Sequence, residues 1–116
     1  MAEHKIYGMA FSRIYDLYVA KVERKGRTAQ DVRDLLTWFT GFAPEALDDH
    51  RQAQTTLADF LAAAPELNPN RTLITGVICG VRVEEISEPT MREIRYLDKI
   101  IDELAKGKAM EKIKRS

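Results

Sequence analysis

Apolar residues recur every three or four positions through most of the chain, the repeat of amphipathic helices. Phe11, Ile14, Tyr15, Tyr18 and Val22 form one stripe and predict a helix over 12–25. Lys21, Arg24 and Lys25 suit its last turn, and Gly26 suits the residue that leaves it. Val32, Leu35, Leu36 and Phe39 predict a second helix over 29–40, ended by Gly41. Thr28 and Asp31 match the capping pattern in which a hydroxyl satisfies a free backbone N–H at a helix start. Trp38 sits at the margin of that stripe, where an indole covers the edge of a core. Pro44 favours a first helical turn and predicts a short helix over 44–50. Asp48–Gln54 is polar and is expected to form a loop or exposed turn. Thr56 and Asp59 repeat the capping pattern ahead of Leu57, Phe60, Leu61 and Ala64, a run stopped by Pro65. Leu67–Asn70 must turn, and Asn70 can cap the segment after it. Ser87 and Pro89 open a long helix whose buried face is Met91, Ile94, Leu97, Ile101 and Leu104; Gly107 breaks it. Met110 and Ile113 dock one more short helix over 108–114.

The stretch 70–86 obeys neither period cleanly. Thr72–Val81 carries no charge, although 31% of the chain is charged. As a helix it places Leu73, Ile74, Val77, Ile78 and Val81 on an arc of about 140°. As a strand it places Leu73, Thr75, Val77, Cys79, Val81 and Val83 on one face. β-Branched content favours the strand, whereas Gly76 and Gly80 weaken the helix. A strand needs a partner, and 5–11 is the one candidate. The favoured fold is therefore an all-α single domain over 1–116, a small bundle built round a buried central helix at 70–86. The alternative is an α+β domain in which 5–11 and 72–83 pair as a small two-stranded sheet. Residues 1–8 show no periodicity and read as a frayed end or a short strand.

Charge adds a gradient. Lys plus Arg and Asp plus Glu are 18 each. Residues 1–27 nevertheless sum to +3, 28–105 to −7 and 106–116 to +4. The last segment reads as a basic, partly helical tail. The basic ends could grip phosphates if they met in space. Against nucleic acid as a partner, the outward face of 29–40 carries Asp31 and Asp34 beside Arg33, a poor surface for a polyanion. One cysteine allows no internal disulfide and fits a reducing compartment. There is no secretory leader pattern and no apolar run of the ~18 residues a membrane span needs. These features describe a cytoplasmic protein with no membrane partner.

Candidate chemistry is sparse. Asp98 lies about 40° from Ile94 on the apolar face of the last long helix, so it needs a partner. Arg95 is the local one; Arg71 and Arg82 flank the central stretch. The plainer outcome is a structural ion pair between the last helix and 70–86. The sharper one is a small-anion pocket formed by Arg71, Arg82 and Arg95, with Asp98 orienting an arginine. Cys79 would need a base or a positive field to act as a nucleophile. His4 and His50 are the imidazoles, both in polar segments expected to be exposed. Buried, unreactive cysteine is the default at position 79. The spacing offers no metal site, phosphate loop or dinucleotide fingerprint, and so no cofactor. Glu84, Glu85 and Glu88 read as a solvated acidic face.

Five stretches together carry a resemblance: KGRT at Lys25–Thr28, LTWFTGF at Leu36–Phe42, LNPNR at Leu67–Arg71, ITGVICGVRVEEI at Ile74–Ile86 and IRYLDKIIDELAKGKAMEKI at Ile94–Ile113. The chain resembles, over nearly its whole length, a bacterial family catalogued as a conserved domain of unknown function. The resemblance implies a single-domain bacterial cytoplasmic protein and brings no activity, ligand or catalytic residue with it. With no catalytic constellation, the leading expectation is a non-enzymatic binding or protein-interaction module that associates with itself. Trp38, Tyr96 and Ile100, outside the main stripes, would supply its apolar patch. The alternatives are an anion-binding protein or enzyme using the arginine pocket, and nucleic-acid binding through the basic ends.

Overall fold

The structure is a computed structural model that describes residues 5–115. Outside 70–86 the expected helices form in the expected order. Helix α1 spans Phe11–Glu23, α2 Ala29–Thr40, α3 Pro44–Gln52, α4 Leu57–Ala62, α5 Pro89–Ala105 and α6 Met110–Lys114. The Thr28 hydroxyl accepts from the Asp31 N–H, and the Asp31 carboxylate accepts from the Thr28 N–H, a complete capping box. Thr56 caps α4 through the Asp59 N–H. Asn68, not Asn70, caps the 3-10 turn Pro69–Leu73.

Three expectations are corrected. The stretch 70–86 is not a buried helix. It is the 3-10 turn Pro69–Leu73, then an antiparallel hairpin of β1 (Val77–Ile78) and β2 (Val81–Arg82), then a 3-10 turn at Val83–Glu85. Of its apolar residues only Ile74 and Val83 are fully buried, while Leu73, Val77 and Val81 are exposed. Cys79 and Gly80 both take positive φ, +53° and +79°, the backbone of a type I′ turn. The small sheet of the α+β alternative thus exists, but it closes on itself within 77–82. The segment 5–11 instead forms the 3-10 turn Lys5–Gly8, and Ala10 bridges to Thr56. His4 and the rest of 1–4 lie outside the described residues.

The second correction concerns Asp48–Gln54, which is helical through Gln52. Asp48, His50 and Arg51 have partners. Arg33 donates to both Asp48 oxygens at 2.9 and 3.2 Å, tying α2 to α3. The Arg51 guanidinium lies 4.1 Å from the centre of the Tyr15 ring on α1. His50 is not a free surface imidazole: its ring packs against Phe42 and Phe60, and its Nδ1 is 2.9 Å from the Thr55 hydroxyl.

The third correction places the core. Helix α5 is the element the others enclose, packing against α1, α2, α4, α6, β1 and the 83–85 turn. Besides the expected stripe it buries Tyr96 and Ile100. Those residues, with Trp38 packed at the core edge, therefore form no exposed patch. A helix apolar on most of its circumference is an internal one. Phe11, Phe39, Phe60, Leu35, Leu36 and Leu47 complete the core from the surrounding helices. Gly107 ends α5, and α6 turns back so that Ile113 is buried.

Candidate functional site

The four residues singled out from the sequence divide into three pairings. Asp98 and Arg95 come together: Arg95 Nη1 donates to Asp98 Oδ2 at 2.7 Å. The other Asp98 oxygen accepts from the Tyr18 hydroxyl of α1, also at 2.7 Å. Arg71 lies with Glu93 instead, donating through Nε and Nη2 to both carboxylate oxygens at 2.8 and 3.1 Å. That pair is the ion bridge between the last long helix and the 70–86 stretch, made by Glu93 in place of Asp98. Arg82 faces Glu84 at 3.7 Å, on the exposed hairpin.

Tyr18 and Glu93 were not singled out from the sequence. Tyr18 falls on the α1 stripe and reads as a core phenol. Its partner is 80 residues away, and nothing local announces it. Burial pushes the Tyr18 hydroxyl well above the ordinary phenol range, and the Asp98 charge pushes the same way. Tyr18 therefore acts as a fixed donor, and Asp98 is held as an acceptor on both sides. This arrangement fastens α1 to α5.

Arg95 extends the line outward, with Nη1 3.6 Å from the Cys79 sulfur. Cys79 is exposed at the tip of the hairpin, not buried as its residue type suggests. The hairpin is anchored to α5 by Lys99 Nζ, which donates to the Val77 carbonyl at 3.2 Å. It is closed underneath by the Gly76 N–H, which donates to the Glu84 carboxylate at 2.9 Å. That backbone donor holds the Glu84 carboxyl below its usual range. Glu88 accepts from the Tyr7 hydroxyl, so the expected acidic face is partly engaged within the fold.

The anchored hairpin and the turn before it expose apolar side chains. Leu73 is 54% exposed, Val77 51% and Val81 43%. Val77, Gly80 and Val81 line a hollow of about 470 Å³ with Arg82, Glu85 and Ile86. Strand β2 has no further strand on its outer side among the described residues. Such an arrangement can bind by apolar contact and by opposite charges on one rim. It contains no nucleophile held by a base. Among the described residues no group of three His, Cys, Asp or Glu side chains is placed to hold a metal ion. Among the described residues no helix is long and apolar enough to cross a membrane.

A family described as an uncharacterized protein conserved in bacteria (DUF2200) matches residues 5–115. The chain is similar to the crystal structure of uncharacterized protein SP1917, at 44% identity and a TM-score of 0.90, covering 97% of this chain and 92% of that one. A search of curated proteins finds no match.

Proposed function

The chain belongs to this family of conserved bacterial proteins, and on that footing we propose that it is a cytoplasmic binding module that pairs with a second copy of itself through the hairpin face. The observation that carries this is the exposure of Val77 and Val81, which line one hollow on a hairpin tied to α5 through Lys99. Apolar side chains gathered on one surface mark contact sites more often than scattered ones do. A two-fold contact requires one patch to complement itself. The rim carries Arg82 and Glu85, so two copies can meet with cation facing anion. The outer edge of β2 is a further place for a second chain.

Sedimentation over a range of concentrations tests this. The wild-type chain shifts from monomer to dimer as concentration rises. Val81→Asp weakens the dimer at least tenfold, about 1.4 kcal/mol, with no loss of melting temperature at a concentration low enough to keep both chains monomeric. A wild-type chain that stays monomeric at every concentration would sink the proposal.

A small-anion site around Arg71, Arg82, Arg95 and Asp98 is the second reading. It rests on Arg82, whose side chain is 57% exposed and lines the hollow. It ranks below self-association because Arg71 and Arg95 already hold carboxylates that an incoming anion would have to displace.

A further inference from the structure

The fold brings the two basic segments of the chain together at one end of the molecule. Arg27, just after α1, donates through Nη1 to the Lys108 carbonyl at 3.3 Å. Lys21 on α1 and Lys106 both reach Asp102, at 3.2 and 3.0 Å. Residues 21–31 hold four basic and two acidic side chains, and residues 102–115 hold five and three. This end therefore carries +4, and the remainder of a neutral chain carries −4.

Three of the acids at this end are taken up within it. Asp102 lies between Lys21 and Lys106, Glu103 between Lys108 and Arg115, and Asp31 against Arg27. Arg24, Lys25, Lys112 and Lys114 have no ion-pair partner among the described residues. Glu23 and Glu111 are the opposing charges left on this end. Helix α6 spans about 7.5 Å, so Lys112 and Lys114 stay within reach of the Arg27–Lys108 contact.

We propose that this end is a docking surface for the phosphate backbone of a nucleic-acid duplex. The acidic outward face of α2 disfavours nucleic acid only where α2 itself would read it. The basic end needs no recognition helix, because phosphates are met by cations alone. A membrane surface fits less well. A basic interfacial helix inserts its apolar side into lipid. Here Ile113 and Met110 are already packed into the core, and of the large apolar side chains on α1 Leu17 is the exposed one. Among the described residues no exposed aromatic ring accompanies the cations, which favours a duplex backbone over stacked single-stranded bases.

Fluorescence anisotropy with a labelled random-sequence duplex tests the proposal. Engaging about four phosphates, the chain loses affinity roughly a hundredfold between about 50 and 200 mM salt. The double variants Arg24→Glu with Lys25→Glu and Lys112→Glu with Lys114→Glu each weaken binding at least tenfold and flatten the salt dependence. The corresponding Gln pairs do so to a lesser degree, and melting curves check that every variant folds. Lys5→Glu, on an exposed turn outside the basic end, leaves binding unchanged. No binding at about 50 mM salt overturns the proposal, as does equal weakening by Lys5→Glu. Capture by phosphatidylserine vesicles that the duplex fails to compete also overturns it, in favour of a membrane.

Discussion

At the scale of single residues, the Asp98 carboxylate shows how a charge on an apolar helix face is accommodated. Both oxygens are occupied at 2.7 Å, one by Tyr18 and one by Arg95. Tyr18→Phe removes one donor and leaves the arginine, so the cost is about 1–2 kcal/mol in urea unfolding at neutral pH. The pH dependence has a definite sign. Burial, reinforced by Asp98, raises the folded Tyr18 hydroxyl above its unfolded value. A raised group contributes its full stability below the unfolded pKa of about 10 and loses it as pH climbs through the folded value. Wild-type stability thus falls more steeply above about pH 10 than that of Tyr18→Phe. The need of Asp98 for a partner was legible in its position on the helix, and so was Arg95 three residues before it. Tyr18 was not legible, because only the packing of α1 on α5 brings it there. Glu93 was missed for the same reason: its arginine arrives from a turn 22 residues earlier.

At the scale of elements, the helices were legible wherever two signals agreed. Helix α2 has both a capping box and an unbroken stripe, and its ends fall where those signals place them. Its last turn also explains why Gly41 is required. Gly41 sits at φ +78°, and a Cβ there would lie 2.9 Å from the Glu66 carbonyl oxygen. The chain leaving α4 runs along this end of α2, with the Glu66 N–H donating to Thr40 and the Asn68 N–H to Phe39. Gly41→Ala therefore costs more than the ~1 kcal/mol of the left-handed conformation alone, read as a lower urea midpoint with an unchanged slope. The 70–86 stretch failed because a short apolar run fits either period. The feature that decides it is a tight turn of positive φ at Cys79 and Gly80, and Cys-Gly lacks the Asn-Gly signature of such turns. The end of α3 was missed for a different reason. Asp48, His50 and Arg51 look solvated in sequence, yet Arg33, Thr55 and Tyr15 receive them.

At the scale of the whole molecule, the uncharged stretch and the buried centre are different segments. Uncharged sequence marks what can be buried, but a run shorter than a stable element can also end on the surface as an anchored hairpin. The better sign of a central helix was apolar side chains beyond a single stripe, which α5 supplies in Tyr96 and Ile100. Point substitutions separate the two assignments. Ile100 is fully buried between α5 and its neighbours, so Ile100→Ala leaves a cavity and costs about 2–5 kcal/mol. Val77 is half exposed on the hairpin, so Val77→Ala stays within about 0.5 kcal/mol. Both are measured by urea unfolding at a concentration low enough to keep the chain monomeric, since association stabilises whatever it binds. The ranking would reverse if 70–86 were the buried axis and Ile100 lay on the surface. A chain whose core is α5 can lose side chains from the hairpin and keep its fold.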